Sequence, residues 1–268
     1  MEDFAEYILS ENDLAAKMEI VYYLSKMTDI FFDKSIILKT EIARLFLKYS
    51  KIEVDKNLLL TVCLLANCKK KANLKDVKEI YTYAKEGSIF LRGMGFSKRF
   101  GKICEELNRY SDSNPRERES DILELVDQFG GMILDRPERI GFKPDEALVL
   151  LEHRNLKDKY NRYLGTFIDF VNFMEDIKVK NNISVISELV RIYNETDELT
   201  KFIKKVVYEY EPNIDKLVEK HNNKILYDMS FNNDNSNPNR PLFSEETARK
   251  IIGHINNTDT VELKSDIK

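Results

Sequence analysis

The sequence predicts an all-α protein on three observations. Apolar residues recur at helical spacing along nearly the whole chain, no segment sustains the period-two alternation of a half-buried strand, and the breakers are scarce, with 9 Gly and 6 Pro in 268 residues. Charged residues make up 33% and apolar residues 43%, too hydrophobic a balance for disorder, and 13 Tyr with 15 Phe furnish a core without any Trp. The length suits one large domain or two small ones.

A start signal between Ser10 and Asp13 opens the stripe Leu14, Met18, Val21, Leu24 and Phe31; Leu38, Ile42, Leu45 and Tyr49 make the next. The segment 55–68 is apolar on most sides and is expected at the middle of the bundle. Helices are expected over 74–84, 97–110 and 115–134, the last with Asn114 as cap, Pro115 at the first helical position and Glu117 closing a capping box. Another begins at Pro144, long ones cover 156–177 and 183–210, and Pro212 ends or kinks the last of them. From about residue 230 an Asn-rich, proline-containing stretch reads as a linker, followed by a short helix over 244–255 and a frayed tail. Three regions are therefore expected: a helical bundle over 1–155, a C-terminal helical extension over 156–229 that packs on it, and a linker, short helix and tail over 230–268.

Lys and Arg number 42 against 46 Asp and Glu, a net charge of -4, so the chain offers no general attraction to nucleic acid or anionic lipid, and neither partner is expected. The acidic first residues do not resemble a signal peptide, and the longest apolar run, 58–66, is too short to span a bilayer, which points to the cytoplasm. Cys63, Cys68 and Cys104 sit in apolar helical patterns without zinc spacing and read as buried thiols. No two of His153, His221 and His254 share a helix at ligand spacing, so surface or packing roles are expected. There is no Gly-x-Ser-x-Gly, no phosphate-binding Walker loop and no dinucleotide Gly-x-Gly-x-x-Gly; Gly93-Met94-Gly95 reads as a turn between helices. The run Lys69-Lys70-Lys71 reads as a cationic helix C-terminus, with anion binding as the alternative.

One resemblance emerges from the order of segments. Glu124-Leu125-Val126-Asp127-Gln128-Phe129, then Asp135-Arg136-Pro137-Glu138-Arg139, then Lys143-Pro144-Asp145-Glu146-Ala147-Leu148 resembles the C-terminal half of the HD-GYP family, where a V-A-D-x-F-D-A-L helix precedes D-R-P-Y-R and a P-E-E-A-L helix. Upstream, 87–96 is similar to the segment after that family's H-P-E, and 64–70 falls where it has L-L-H-D-I-G-K. The likeness spans roughly 38–151 and implies an HD-domain-like helical bundle with additional C-terminal helices.

Family members are metal-dependent phosphodiesterases of cyclic dinucleotides whose histidines and aspartates hold two or three metal ions. Carried over by position, the first histidine falls at Leu38, the H-D pair at Ala66 and Asn67, the H-P-E histidine at Tyr83 and the paired histidines at Glu106 and Leu107; only Asp127 is retained. The G-Y-P loop is missing as well. The resemblance therefore implies a scaffold without its reaction centre: no metal, no cofactor and no catalysis. The expected function is a regulatory or scaffold protein of bacterial-type signalling that works through protein partners or self-association, as the similarly metal-free HDOD domains do. The alternative is a receptor that binds a cyclic dinucleotide or other nucleotide without hydrolysis, with Lys70, Arg136 and Arg139 as anion contacts. Asp127, freed from a metal, needs a partner, for which Lys70 is the first candidate and solvent the alternative. The turn 135–139 reads either as pure structure, with Asp135 bonding backbone amides ahead, or as an arginine fork facing the cleft. In the extension, Leu199, Ile203, Val206 and Tyr210 form a stripe that either packs on the bundle or serves as the interaction surface.

Overall fold

Five of the helices start where a short acceptor side chain satisfies an otherwise orphaned amide. In this computed structural model, which describes residues 2–70, 77–107, 116–136, 139–155, 161–179, 182–210, 214–220 and 222–223, α1 (Glu2–Ser10) leads into α2 (Leu14–Met27), where Asp13 accepts from the Ala16 amide at 2.9 Å. Asp33 caps α3 (Lys34–Ser50) through the Ile36 amide and Asp55 caps α4 (Lys56–Leu65) through the Leu58 amide. α5 (Val77–Gly93) ends in a tight turn in which Phe96 N–H reaches back to Leu91 O and Gly95 adopts φ 96°, a left-handed conformation that glycine takes without steric cost. Ser97 then caps α6 (Lys98–Glu105).

α7 (Arg118–Ile133) begins later than the sequence suggests. Glu117 is its N-cap and closes no capping box, because its amide is taken by Glu106 Oε2 at 3.0 Å and its carboxylate by Arg99 and Lys102; Asn114 and Pro115 lie outside the described residues. α8 (Pro144–Asn155) starts at the expected proline, and α9 (Leu164–Asp176) follows. The expected helix over 183–210 is divided: Ser184 caps α10 (Val185–Glu195), the chain turns at Thr196, and α11 (Leu199–Lys204) runs on as a π-helical segment, Lys205–Tyr210. The break is held by the Lys34 ammonium, which donates to Tyr193 O and Thr196 O, both at 2.7 Å, and so satisfies carbonyls that a continuous helix would have used. Among the described residues there is no strand, only two isolated bridges, and no helix is long and apolar enough to cross a membrane.

The chain forms two compact units, Met1–Pro212 and Asn213–Lys268; in the second, 214–220 is helical. In the first, α3 shares the centre with α4. Every α3 residue from Ile36 to Phe46 is buried, including Lys39, Glu41 and Arg44, and α3 packs against α4, α7, α9, α10 and α11. Its charges disguise it as a surface helix in the sequence, but Arg44 meets Glu41 through two 2.8 Å bonds and Lys39 finds an acid on α7. An aromatic cluster ties α9 to this centre: Phe46 of α3 lies 5.2 and 5.4 Å, centroid to centroid, from Phe167 and Phe170, and Phe129 of α7 lies 5.5 Å from Phe167. The three cysteines are buried free thiols.

Within the first unit, α9, α10 and α11 thus build the same core as the helices before residue 156. Ile203 and Val206 are fully buried and α11 packs on α2 and α3, so these two residues belong to the core rather than to a docking stripe; Leu199 is half-buried, and the Tyr210 side chain lies outside the described residues. Phe31 also departs from its expected helix: it follows α2 in a loop, where its N–H donates to Cys68 O at 2.8 Å.

Candidate functional site

Asp127 projects from the middle of α7 towards α3 and the turn after α4, and its Oδ1 is held by two donors. Lys39 Nζ stands at 2.8 Å and Asn67 Nδ2 at 3.2 Å. Burial favours the neutral acid, yet the charges of Lys39 and Lys70 and the two hydrogen bonds outweigh it and hold the carboxyl below its ordinary value. Asp127 is therefore an anion. Its hydrogen-bonded cation is Lys39, not Lys70; Lys70 faces it through charge alone.

Lys39 reaches Asp127 because α7 carries Gly130 and Gly131 at the crossing with α3. A Cβ on Gly130 would stand 2.5 Å from Lys39 Cγ, so the missing side chain is the channel in which the lysine stem lies. A Cβ on Gly131 would stand 3.0 Å from Arg136 Nη2 and 3.9 Å from Lys39 Nζ, so two cations converge over that residue. A glycine inside a helix costs about 0.5–1 kcal/mol against alanine, and here two are spent to admit a charged side chain. Lys39 was missed in the sequence, where the histidine position falls one residue earlier at Leu38. Leu38 is fully buried apolar core, since adjacent helical residues point about 100° apart. The Gly130-Gly131 pair inside an otherwise regular helix was the signal that something lies close against it.

Two contacts place the turn after α4. Phe31 N–H holds Cys68 O, and the Lys69 ammonium sits 4.1 Å over the Phe90 ring. These bring Asn67 and Lys70 to the N-terminal end of α3. Lys70 is half-buried, and burial first, then Lys39 and Arg136, lowers its pKa, while Asp127 and Asp33 act in the opposite sense. Tyr83 of α5 feels Asp127 as well: burial and that charge push its phenol up, so it is a protonated hydroxyl. Ala66 is fully buried core.

Three expected members are elsewhere. Glu106 is fully buried two turns away, where its carboxylate takes Ser120 Oγ at 2.5 Å and the Glu117 amide, and Leu107 is core. Arg139 does not face the cleft: it donates to Gly131 O at 2.6 Å and Met132 O at 2.9 Å, and its guanidinium lies 4.9 Å from the Phe142 ring, so it satisfies the last carbonyls of α7. Asp135 Oδ1 accepts from the Gly141 amide at 2.7 Å, and backbone bonds between Arg136 and Arg139 close the turn. This is the structural reading of 135–139, except that the Arg136 side chain is left at the centre.

A metal pair of the kind the resemblance implies does not fit these donors. An ammonium holds the carboxylate oxygen, Asn67 brings an amide and Tyr83 a protonated phenol. Among the described residues no group of three or more His, Cys, Asp or Glu gathers where it could hold a metal ion. What the arrangement offers is a carboxylate paired with Lys39, with the charges of Lys70 and Arg136 close to that lysine and Asp33 facing Lys70 as well. The surface near the start of α7 is different, for there Arg99 meets Glu117 and Glu119, Arg116 meets Asp121 and Glu124, and Arg162 meets Asp121. Compared with family models, curated proteins and solved structures, the chain has no match.

Proposed function

We propose that this chain is a non-catalytic, HD-GYP-like regulatory or scaffold module that acts through contacts with other proteins. The observation that carries the reading is the Lys39–Asp127 ion pair, at the position where the resemblance would put a metal ligand. A fixed ammonium balances the carboxylate charge as a metal would, but it brings no open coordination position and no activated water. The ion pair joins α3 to α7 from within, which supports a fold that assembles without an ion at this position. Exposed Ile140, Val149 and Phe142, around the start of α8, support a contact role by presenting apolar surface beside the 135–139 turn.

The test is metal analysis and turnover on the purified full chain. With manganese or ferrous iron supplied, the expected result is less than stoichiometric metal after gel filtration and no cleavage of cyclic di-GMP. Two bound equivalents, or hydrolysis that depends on the added ion, overturn the reading.

A further inference from the structure

We propose that the exposed face of α2 is a self-association surface, on which the α2 helix of a second copy of this chain lies antiparallel. The proposal goes beyond the non-catalytic reading and is independent of it, because neither metal binding nor turnover enters its test.

The helical period of α2 is the first argument. Leu14, Met18, Val21 and Leu24 are buried on one side of the helix, whereas Tyr23 is 60% exposed and Met27 77%. At about 100° per residue, Ala16, Ile20, Tyr23 and Met27 share a single stripe opposite that core, separated by steps of four, three and four residues. Those steps are the spacing of a coiled-coil seam. Tyr208, 57% exposed on the π-helical segment and within the field of Asp13 and Glu19, adds a ring near the N-terminal end of the stripe. Apolar side chains scattered singly over a surface need no explanation, but a row of them at seam spacing marks a contact face.

Charge complementarity is the second, and it selects the partner. Glu19 and Lys26 flank the stripe on one edge, two turns apart, which is about 10 Å along the helix axis. Among the described residues neither has an ion pair; Lys26 lies over the ring of its neighbour Tyr22, at 5.2 Å. Two turns apart they do not meet within one chain, yet they match a second copy of themselves. A two-fold axis crossing α2 between Tyr22 and Tyr23 brings like edges together in antiparallel helices and sets Glu19 of each copy beside Lys26 of the other. The same operation places the two Tyr23 rings side by side at the axis and Met27 of each copy over Ala16 and Ile20 of the other. A parallel pair would instead set the charged edge against the edge that carries Ile20 and Met27, so the charges choose the antiparallel one. One helix pair without further contacts lies at the small end of specific interfaces, and the dimer is therefore a reversible one, with a Kd on the order of 100 µM.

The test is sedimentation equilibrium of the purified full chain from about 5 to about 500 µM. The wild type should pass reversibly from monomer to dimer over this range. Glu19→Lys sets lysines of the two copies against each other and Lys26→Glu sets glutamates against each other, so each change alone should weaken association by about tenfold. An equimolar mixture of the two single variants restores both ion pairs and should associate about as tightly as the wild type, a rescue that loss of folding or of apolar area cannot produce. Tyr23→Glu should leave no dimer at about 500 µM, whereas Val149→Glu, on the exposed face of α8, should change nothing. Tyr23 and Lys26 are exposed, so their variants keep the fold, with thermal melting followed by circular dichroism as the check, and Tyr23→Glu decides the matter even if Glu19→Lys does not fold. A monomer at every concentration, a dimer unchanged by Tyr23→Glu, or a mixture no tighter than its single variants overturns the proposal. Loss of the dimer in Val149→Glu would place the contact on α8 and overturns it as well.

Discussion

Replacing Asp127 by Asn and Lys39 by Met should not cost the same, although the two side chains form one ion pair. Asp127→Asn removes the carboxylate that Lys39 holds and that also faces Lys70, and leaves the Lys39 ammonium, only 7% exposed, without its ion pair and close to the charges of Lys70 and Arg136. Breaking a buried pair in this way costs about 3–5 kcal/mol, and at about 2–4 °C per kcal/mol for a chain of this size the melting temperature should fall on the order of 10 °C. Lys39→Met keeps the carboxylate, the Asn67 donor at 3.2 Å and the nearby Lys70 charge, so its cost should be about 1–3 kcal/mol. The double variant removes both charges, and a packed apolar side chain in the Gly130 channel should make it more stable than Asp127→Asn alone. Urea unfolding followed by helical circular dichroism in phosphate-free buffer measures all four chains, with an unchanged m-value as the sign that the comparison is sound. If Lys39→Met costs as much as Asp127→Asn, or if the double variant costs the sum of the two, the unpaired Lys39 ammonium is not what governs this centre.

Gly130→Ala should destabilise the wild-type chain by about 1–2 kcal/mol, because a Cβ 2.5 Å from Lys39 Cγ overpacks the crossing by more than the helix gains from alanine; in a Lys39→Ala background the same change should be neutral or stabilising, and a cost in both backgrounds would falsify the channel. Lys17, fully buried with its ammonium on Ile8 O and Thr61 Oγ1, has its pKa lowered to about 8, chiefly by burial. The fold disfavours its charged form, so stability is gained as pH rises from the folded pKa towards the unfolded one: between pH 7 and 10 the wild type should gain about 2–3 kcal/mol on Lys17→Met, and a pH-independent difference refutes this. A chain cut after Tyr160 loses Phe167 and Phe170, both fully buried and in ring contact with Phe46. At about 3–5 kcal/mol for each lost ring it should show no cooperative thermal transition, and a sharp one would mean that 1–160 folds alone.

Much of the fold was legible because it is written locally. Asp13, Asp33, Asp55, Ser97 and Ser184 each cap a helix within three residues of themselves, and those starts depend on no distant contact. The helical period of the apolar residues is local in the same sense, and so are the buried thiols and the turn at Gly95. Where a remote group intervenes, the local reading fails. The break between α10 and α11 depends on a lysine 159 residues away from the carbonyl it holds. The start of α7 depends on Glu106 taking the Glu117 amide. In the sequence α3 shows only the stripe Leu38, Ile42, Leu45 and Tyr49, because its lysine, glutamate and arginine give no sign there of being paired inside the core.

The candidate site divides in the same way. Motif order was enough to single out Asp127, Asn67, Tyr83, Lys70 and Arg136, which the fold gathers from α7, the turn after α4, α5 and the 135–139 turn. It was not enough to tell Lys39 from Leu38, because a one-residue step on a helix turns a side chain through about 100°, and only the phase at which α3 crosses the Gly130-Gly131 face settles which of the two meets Asp127. Nor could it separate Arg136 from Arg139, three residues apart in one turn, of which one closes the end of α7 and the other stands free at the centre. Sequence determines which residue types are available and which helices carry them, since hydrogen bonding and burial patterns act over a few residues. Which charges meet is decided by helix crossings, because electrostatic pairing acts between side chains that are neighbours only in the folded chain.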